Sequence, residues 1–326
     1  MHQAILINKD NNNKITSRLS KIGEEDLPKN DVKVKIEYST LNYKDCLAIT
    51  NKSPIARTFP LVPGIDLAGT VLEASSDKFI KGDKVFLNGW GHGEIYWGGL
   101  ATIANLDSKY LLHLPKKLDT LDVMCLGTAG YTAMLAVMEI EKKKLNKEKS
   151  EILVTGSNGG VGSISIMILS KLGYNVIAAT SRLDNNNYIK SLGAKEVISY
   201  ETLLEKKKVL EREKWSASID VLGGQILSSI LSTTKYEGTA IACGLASDFK
   251  VNTSVFPFIL RGVSLIGIDS VYRNNEDRIQ AWKTISELLE KEKIYEIIKT
   301  IKLEEVIDYS EKILSRKIAG RIVVKL

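Results

Sequence analysis

The stretch EILVTGSNGGVGSISIMILSKLG, residues 151–173, decides how the second half of the chain folds. Glu151-Ile152-Leu153-Val154-Thr155 is a short apolar run with β-branched residues, the composition of a buried strand. Four glycines follow, Gly156, Gly159, Gly160 and Gly162, and then an apolar segment long enough for a helix. A glycine-rich turn between strand and helix lets a pyrophosphate approach the backbone, where first-turn amides and the positive helix end hold it. The spacing is GxxGxxG with Gly160 added, a departure from GxGxxG, so the motif draws its meaning from the strand, loop, helix and next strand in order. The other reading is a turn that serves only close helix–strand packing.

Outward from this turn, strand-like segments at 174–180, 196–199, 218–222, 239–243 and 263–268 alternate with helical ones, beginning with a long, largely apolar helix at 119–140. That alternation predicts an α/β fold with a doubly wound parallel sheet of about six strands. Ser181 and Arg182 stand about twenty residues beyond Gly162, where an acid would bind the ribose 2′-hydroxyl of NAD, and the first acid is Asp184. A hydroxyl beside a guanidinium suits a 2′-phosphate instead, so NADPH is the expected cofactor. The alternative for Arg182 is an exposed side chain with no ligand.

Before residue 120 the texture is different. Val32, Val34, Ile36 and Tyr38 alternate with Lys33, Lys35 and Glu37, the period of a strand with one buried face. Short apolar segments around Ile5, Val71, Val85 and Thr102, separated by turns, predict a small barrel or rolled sheet, with one short helix at 42–49. Residues 275–326 read as two helical stretches and a final strand, 321–324, able to return to the first domain. Asn runs at 11–13 and 185–187 and Lys runs at 142–144 and 206–208 read as loop tips and solvated helix faces.

Composition narrows the function classes. The 326 residues carry 45 Lys and Arg against 39 Asp and Glu, a net +6 spread over both halves, with 7% aromatic residues. This is no nucleic-acid footprint. Cys46, Cys125 and Cys243 are too far apart in sequence for a zinc ribbon or a disulfide framework, which fits a reducing cytoplasm. The start shows no export signal, and the longest uncharged stretch, 152–170, is too rich in Gly and Ser for a lipid-facing helix, so no membrane span is expected. GxxxxGK[ST], HExxH and GxSxG are absent, and His2, His92 and His113 have no metal-like spacing. His92 lies in a flexible-looking glycine loop, with a structural or solvent role favoured over a catalytic one.

Several segments together carry a resemblance: Thr40-Leu41-Asn42-Tyr43-Lys44-Asp45, then 59–71, 82–85, 89–101, 127–134, 155–163, 191–194, 257–270 and 320–325. Over nearly its full length the chain resembles the zinc-free quinone-oxidoreductase branch of the medium-chain dehydrogenase/reductase superfamily, and within it the NADPH-dependent acrylyl-CoA reductase subgroup. Zinc-dependent relatives carry Gly-His-Glu where this chain has Gly64-Ile65-Asp66, and a cysteine ligand near 42–45; both are missing here, and Cys46 is expected to pack on the buried side of its helix. The resemblance implies a GroES-like catalytic domain over 1–121, completed by 271–326, and a Rossmann NADPH-binding domain over 122–270.

It implies roles as well. Asn42 and Tyr43 are expected to line the cleft for nicotinamide and substrate, with Thr128 beneath the cofactor and Leu245, Ile268 and Ser270 around the nicotinamide end. Gly156, Asn158, Gly159, Gly160, Val161 and Gly162, with Ser181 and Arg182, are the expected cofactor contacts. Tyr43, or a water it orients, is the candidate proton donor, with the filling of an interface as the other reading; Asp45 is the candidate orienter. Arg57 and Arg321 are candidates to meet phosphates or the thioester carbonyl, or else are structural ion-pair partners. The implied activity is reduction of an activated double bond in a small acyl-CoA, acryloyl-CoA first, with a quinone or enone reductase and a nonenzymatic NADPH-binding protein as alternatives. No nucleic-acid or membrane partner is expected, and a homodimer is, through the edge strand at 263–268.

Overall fold

Two large sheets carry the architecture of the computed structural model, which describes residues 1–205 and 208–326. Lys206 and Lys207 of the lysine run at 206–208, expected on a loop tip or solvated helix face, therefore lie outside the described residues. Before residue 120 the strands are β1 (His2–Lys9), β2 (Ile15–Ile22), β3 (Val32–Leu41), β4 (Asp66–Ala74), β5 (Lys84–Asn88), β6 (Ile103–Leu106) and β7 (Leu112–His113). After it come β8 (Glu151–Val154), β9 (Asn175–Thr180), β10 (Glu196–Ser199), β11 (Trp215–Asp220), β12 (Thr234–Ala242) and β13 (Ser264–Gly267). The last are β14 (Ile298–Lys302) and β15 (Arg321–Lys325).

The chain divides into a first unit of residues 1–128, 271–273 and 290–326, and a second of 129–270 with 274–289. This differs from the expected division, which put the boundary at 121/122 and gave all of 271–326 to the first domain. The reason is visible in the helix Asn275–Leu288: its buried residues include Arg278, Ala281, Trp282 and Ile285, and Trp282 stacks on Tyr131 with ring centroids 6.5 Å apart. That packing makes the helix part of the second unit's core.

The second unit holds the six-stranded sheet, in the order β10-β9-β8-β11-β12-β13, with every pairing parallel. Chain order reverses between β8 and β11, the switch point of a doubly wound fold. Its central strands β8, β9 and β11 are almost wholly buried and read as continuous apolar runs because helices cover both faces, whereas the edge strands β10 and β13 are only partly covered. Leu153, Ile177, Ile226, Leu227, Ile230 and Ala240 share one core, and each large aliphatic chain there is worth about 1.5–3 kcal/mol of burial.

In the first unit the main sheet runs β14-β15-β3-β4-β5-β7, with β6 also paired to β3. The alternation predicted at 32–38 is kept in β3, where Val32, Val34 and Ile36 are buried and Lys35 is exposed. β1 and β2 form a separate hairpin closed at Asn11–Asn13, a loop tip as expected, whereas Asn185–Asn187 instead open a helix. The last strand does return to the first unit: β15 pairs antiparallel with β3, Ile322 opposite Leu41. Residues 275–326 also hold β14, parallel to β15, and a third helix, beyond the two helices and one strand expected there.

Helix Thr120–Glu141 is long and apolar enough by composition to cross a bilayer, but its apolar window is 83% buried inside the fold. It is a core helix, broken at Gly127, whose backbone takes φ +51°, ψ −158°.

Candidate active site

Four neighbouring strands of the first unit each bring one polar residue to the same end of the sheet. Arg321 opens β15, Thr40 lies near the end of β3, Asp66 opens β4 and Asn88 closes β5, with Asp66 and Asn88 directly paired. All four are buried, Asp66 and Thr40 completely and Arg321 to 3% exposure.

Asp66 is the hub. Its Oδ2 accepts from Thr40 Oγ1 at 2.6 Å and Asn42 Nδ2 at 2.8 Å, and its Oδ1 from Asn88 Nδ2 at 2.6 Å and Thr128 Oγ1 at 2.5 Å. The Thr128 backbone N–H adds bonds of 3.1 and 3.0 Å to the two oxygens. That N–H is free to turn to the carboxylate because Gly127 breaks the helix just before it. A Cβ on Gly127 would lie 2.5 Å from Arg321 Nη2 and 2.7 Å from Asp66 Oδ2, in a backbone region that favours glycine. Arg321 Nη2 stands 3.9 Å from Asp66 Oδ2 as its counter-charge.

Asn42 caps the helix Tyr43–Ile49, and the cap locks its side chain. The Asp45 carboxylate accepts from the Asn42 backbone N–H at 2.9 Å and from Asn42 Nδ2 at 3.1 Å, while its other oxygen accepts from Ile65 N at 2.9 Å. Asn42 Oδ1 takes Arg321 Nη1 at 2.8 Å. With a cation on its oxygen and two carboxylates on its nitrogen, the amide has one orientation. Burial raises the Asp45 carboxyl to about 7, with the nearby Asp66 charge adding to the rise. Burial disfavours the Arg321 charge while Asp66 favours it. Tyr43, the first residue of the helix, is 45% exposed beside this fixed amide.

Sequence reasoning missed Asp66, Thr40 and Asn88. The Gly64-Ile65-Asp66 triplet had been used for the ligands it lacks, although a fully apolar neighbourhood around an aspartate was a signal that its charge is answered from elsewhere. Arg321 is buried and bonded to Asn42 and, through Nε, to Cys125 O at 3.3 Å, which ties it into the first unit's polar cluster. Cys46 is fully buried in the core with Leu41 and Ile322. His92 is not on a flexible loop; it is buried, with Nδ1 3.2 Å from Gly89 O, and burial lowers it to about 4, so it stays neutral.

The second unit brings the expected cofactor residues to the carboxyl ends of its parallel strands, where ligands bind in such sheets. Gly156 to Gly162 follow β8, Ser181 and Arg182 follow β9, Leu245 follows β12, and Ile268 and Ser270 follow β13. Gly156 has φ +61°, and a Cβ there would sit 2.2 Å from Val221 Cγ2. Gly159 caps the helix Gly160–Lys171, which carries Val161 in its first turn. Asn158 Nδ2 donates to Thr180 Oγ1 at 2.5 Å, and the Arg182 N–H donates to the same hydroxyl at 3.0 Å, so one threonine ties the glycine turn to the Ser181–Arg182 corner. Asn158 Oδ1 is buried and has no hydrogen-bond partner among the described residues, and it lies beside a helix start, whose first amides point out of the helix. An orphaned polar atom in a glycine cradle at a helix N-terminus fits a dinucleotide pyrophosphate. Leu245 is 65% exposed, available to a ligand.

Residues 28–116 match the family described as alcohol dehydrogenase GroES-like domain, and residues 160–291 the family described as zinc-binding dehydrogenase. The chain is 41% identical over 326 residues to acrylyl-CoA reductase AcuI of Ruegeria pomeroyi, covering 99% of each chain. It belongs to the medium-chain dehydrogenase/reductase superfamily. The crystal structure of the yhdH oxidoreductase from Salmonella enterica, in complex with NADP, superposes with TM-score 0.96 at 39% identity over 99% of both chains. That of Bacillus subtilis yhfP with NAD bound superposes with TM-score 0.95 at 40% identity over 100% of this chain and 99% of that one. Although one matched family is called zinc-binding, no group of three or more His, Cys, Asp or Glu side chains among the described residues is arranged to hold a metal ion. The superfamily membership makes this chain an oxidoreductase.

Proposed function

We propose that the enzyme uses NADPH to reduce the activated carbon–carbon double bond of a short enoyl-CoA, acryloyl-CoA first. The observation that carries this reading is the full-length likeness to an acrylyl-CoA reductase. The Ser181–Arg182 corner, with no acid before Asp184, supports the 2′-phosphorylated cofactor. Gly156, Asn158, Gly159, Gly160, Val161 and Gly162 would hold its pyrophosphate, and Leu245, Ile268 and Ser270 its nicotinamide half.

NADPH, when bound, supplies a hydride to the β-carbon of the substrate. The bond electrons then move toward the thioester carbonyl as an enolate, whose α-carbon must take a proton. Tyr43 is the donor in this reading because it is half-exposed at a helix start whose preceding residue, Asn42, is held by Arg321. Asn42 acts as a fixed wall, since both ends of its amide are already engaged, and Asp45 acts as the orienter of that wall. Asp66 and Thr128 hold the frame behind it.

Among the described residues the edge strand β13 pairs on one side only, with β12, and Ile259, Leu260 and Leu265 are exposed near it. A homodimer joined along this edge is part of the proposal; light scattering that gives a 36.1 kDa particle at micromolar concentration would overturn it.

The activity test follows NADPH consumption with acryloyl-CoA, crotonyl-CoA, a simple quinone and no acceptor, with NADH as the control. Turnover of acryloyl-CoA well above the quinone is expected; quinone turnover without acyl-CoA activity overturns the reading. Tyr43→Phe should lower kcat by about 10²-fold or more if the phenol is the donor, and an unchanged kcat assigns the proton to water.

A further inference from the structure

The loop at 89–98 is tied by its own backbone hydrogen bonds and lines a cavity. Gly89, Trp90, Gly91 and Gly93 all take positive φ, between 55° and 78°, and the Gly91 carbonyl accepts from the backbone N–H groups of Glu94, Ile95 and Tyr96. The cavity has a volume of about 220 Å³ and is lined by His92, Tyr96, Trp97, Asn105, Lys109 and Tyr110 among others. The rings of His92, Tyr96 and Tyr110 lie 5.5–6.0 Å apart, and Lys109 Nζ sits 4.6 Å over the Tyr110 ring. A space below the roughly 300 Å³ of a drug-sized pocket takes one flat ring system and not a whole cofactor.

The same loop is stitched to the segment that carries Arg57. The Arg57 N–H donates to Glu94 O at 2.8 Å, Thr58 Oγ1 to Ile95 O at 2.8 Å and Trp97 Nε1 to Pro60 O at 2.9 Å. The Glu94 carboxylate holds the ammonium of Lys44, the residue after Tyr43. Lys44 is thus neutralised, whereas Arg57 is exposed and its guanidinium makes no ion pair among the described residues. Through Glu94 the loop therefore joins the residue after Tyr43 to the segment that carries an uncompensated guanidinium, and the same loop supplies Tyr96 and Trp97 to an aromatic cavity whose walls also hold Asn105 and the Asp107–Lys109 ion pair.

Coenzyme A carries the matching groups: an acyl thioester, phosphates and a flat adenine. We propose that Arg57 binds the phosphates of the substrate's coenzyme A and that the cavity walled by Tyr96 and Tyr110 receives its adenine. This rests on the enoyl-CoA reading above and deepens it. A guanidinium fork suits phosphate oxygens, and a flat base stacks on aromatic side chains whatever its sequence context. A simple quinone would need neither.

The test compares kcat/KM for acryloyl-CoA with that for acryloyl-N-acetylcysteamine, which keeps the thioester and lacks the nucleotide. Arg57→Met and Tyr96→Leu should each lower the ratio of the two values about tenfold, the weight of one good contact. A ratio unchanged in either variant overturns the proposal. Should the wild type reduce neither thioester, the functional reading has failed instead, and calorimetry with adenosine 3′,5′-bisphosphate on the NADP⁺-saturated enzyme then decides the cavity. Binding that Arg57→Met abolishes supports the site; no binding to the wild type overturns it.

Discussion

Replacing Asp66 by Asn tests the buried network most directly, because the change is isosteric and removes only charge and acceptor capacity. Asp66 is fully buried and receives side-chain donors from Thr40, Asn42, Asn88 and Thr128 within 2.5–2.8 Å, plus the Thr128 N–H. An amide would turn an NH₂ group toward donors that need an acceptor. It would also leave the Arg321 guanidinium, 3% exposed, without the carboxylate that faces it. Breaking a buried pair in this way costs about 3–5 kcal/mol. At roughly 2–4 °C per kcal/mol for a domain of this size, the transition of the first unit should fall by about 6–20 °C. Scanning calorimetry is the assay, because two units need not unfold in one step. The double variant Asp66→Asn/Arg321→Met should recover part of the loss, since it removes the orphaned charge, by about 0.5–3 kcal/mol of coupling. A first-unit transition unchanged to within about 2 °C in Asp66→Asn would refute the argument that this carboxylate balances the arginine.

Asp45 carries a pH signature. Burial raises its folded-state value from 3.8 to about 7, so the folded chain binds more protons than the unfolded one between those values, and this residue's contribution to stability falls as pH rises through that window. The stability of Asp45→Asn relative to wild type should therefore improve from pH 5 to pH 8, measured by urea unfolding at each pH; a difference independent of pH would sink the assignment. For the cofactor, Arg182→Glu should raise KM for NADPH by about tenfold or more while leaving NADH less affected, because a carboxylate repels a 2′-phosphate and accepts from a 2′-hydroxyl. Equal losses would place the 2′-phosphate elsewhere.

The second unit was the more legible half. Its central strands are buried on both faces, so they announce themselves as apolar runs, and the glycine turn after Val154 fixes which end of the sheet matters. Ser181 and Arg182 could be placed by counting because the strand, helix and strand between them are regular. The first unit was harder. β2 (Ile15–Ile22) is largely exposed and carries Arg18 and Lys21, so no burial pattern marks it. β14 is short and alternates weakly, with lysines at 299 and 302, and a helical reading of its surroundings absorbed it. Helix Asn275–Leu288 packs with the second unit, a placement that sequence leaves open because it shows which face is apolar but not which core receives it. The site divides the same way: Asn42, Tyr43 and Asp45 stand together in one cap, whereas Asp66, Asn88 and Arg321 meet only because β15, β3, β4 and β5 are neighbours in space. No spacing along the chain encodes that meeting.

The position of β15 has a consequence for how the molecule is made. Strand β3 emerges from the ribosome early, yet its partner across the Ile322–Leu41 register comes some 280 residues later. The second unit, most of it contiguous between residues 129 and 270, has its strands and helices in hand before that partner exists. Its folding draws together the ends of the long intervening loop and lowers the entropy that the late pairing must overcome. Arg321, the first residue of the late strand, is then the last member to reach the buried cluster, so Asp66 and Asn42 acquire their counter-charge only after all their other partners have been made. Until then the first sheet keeps an open edge at β3, and that interval is when the nascent chain is most exposed to mispairing.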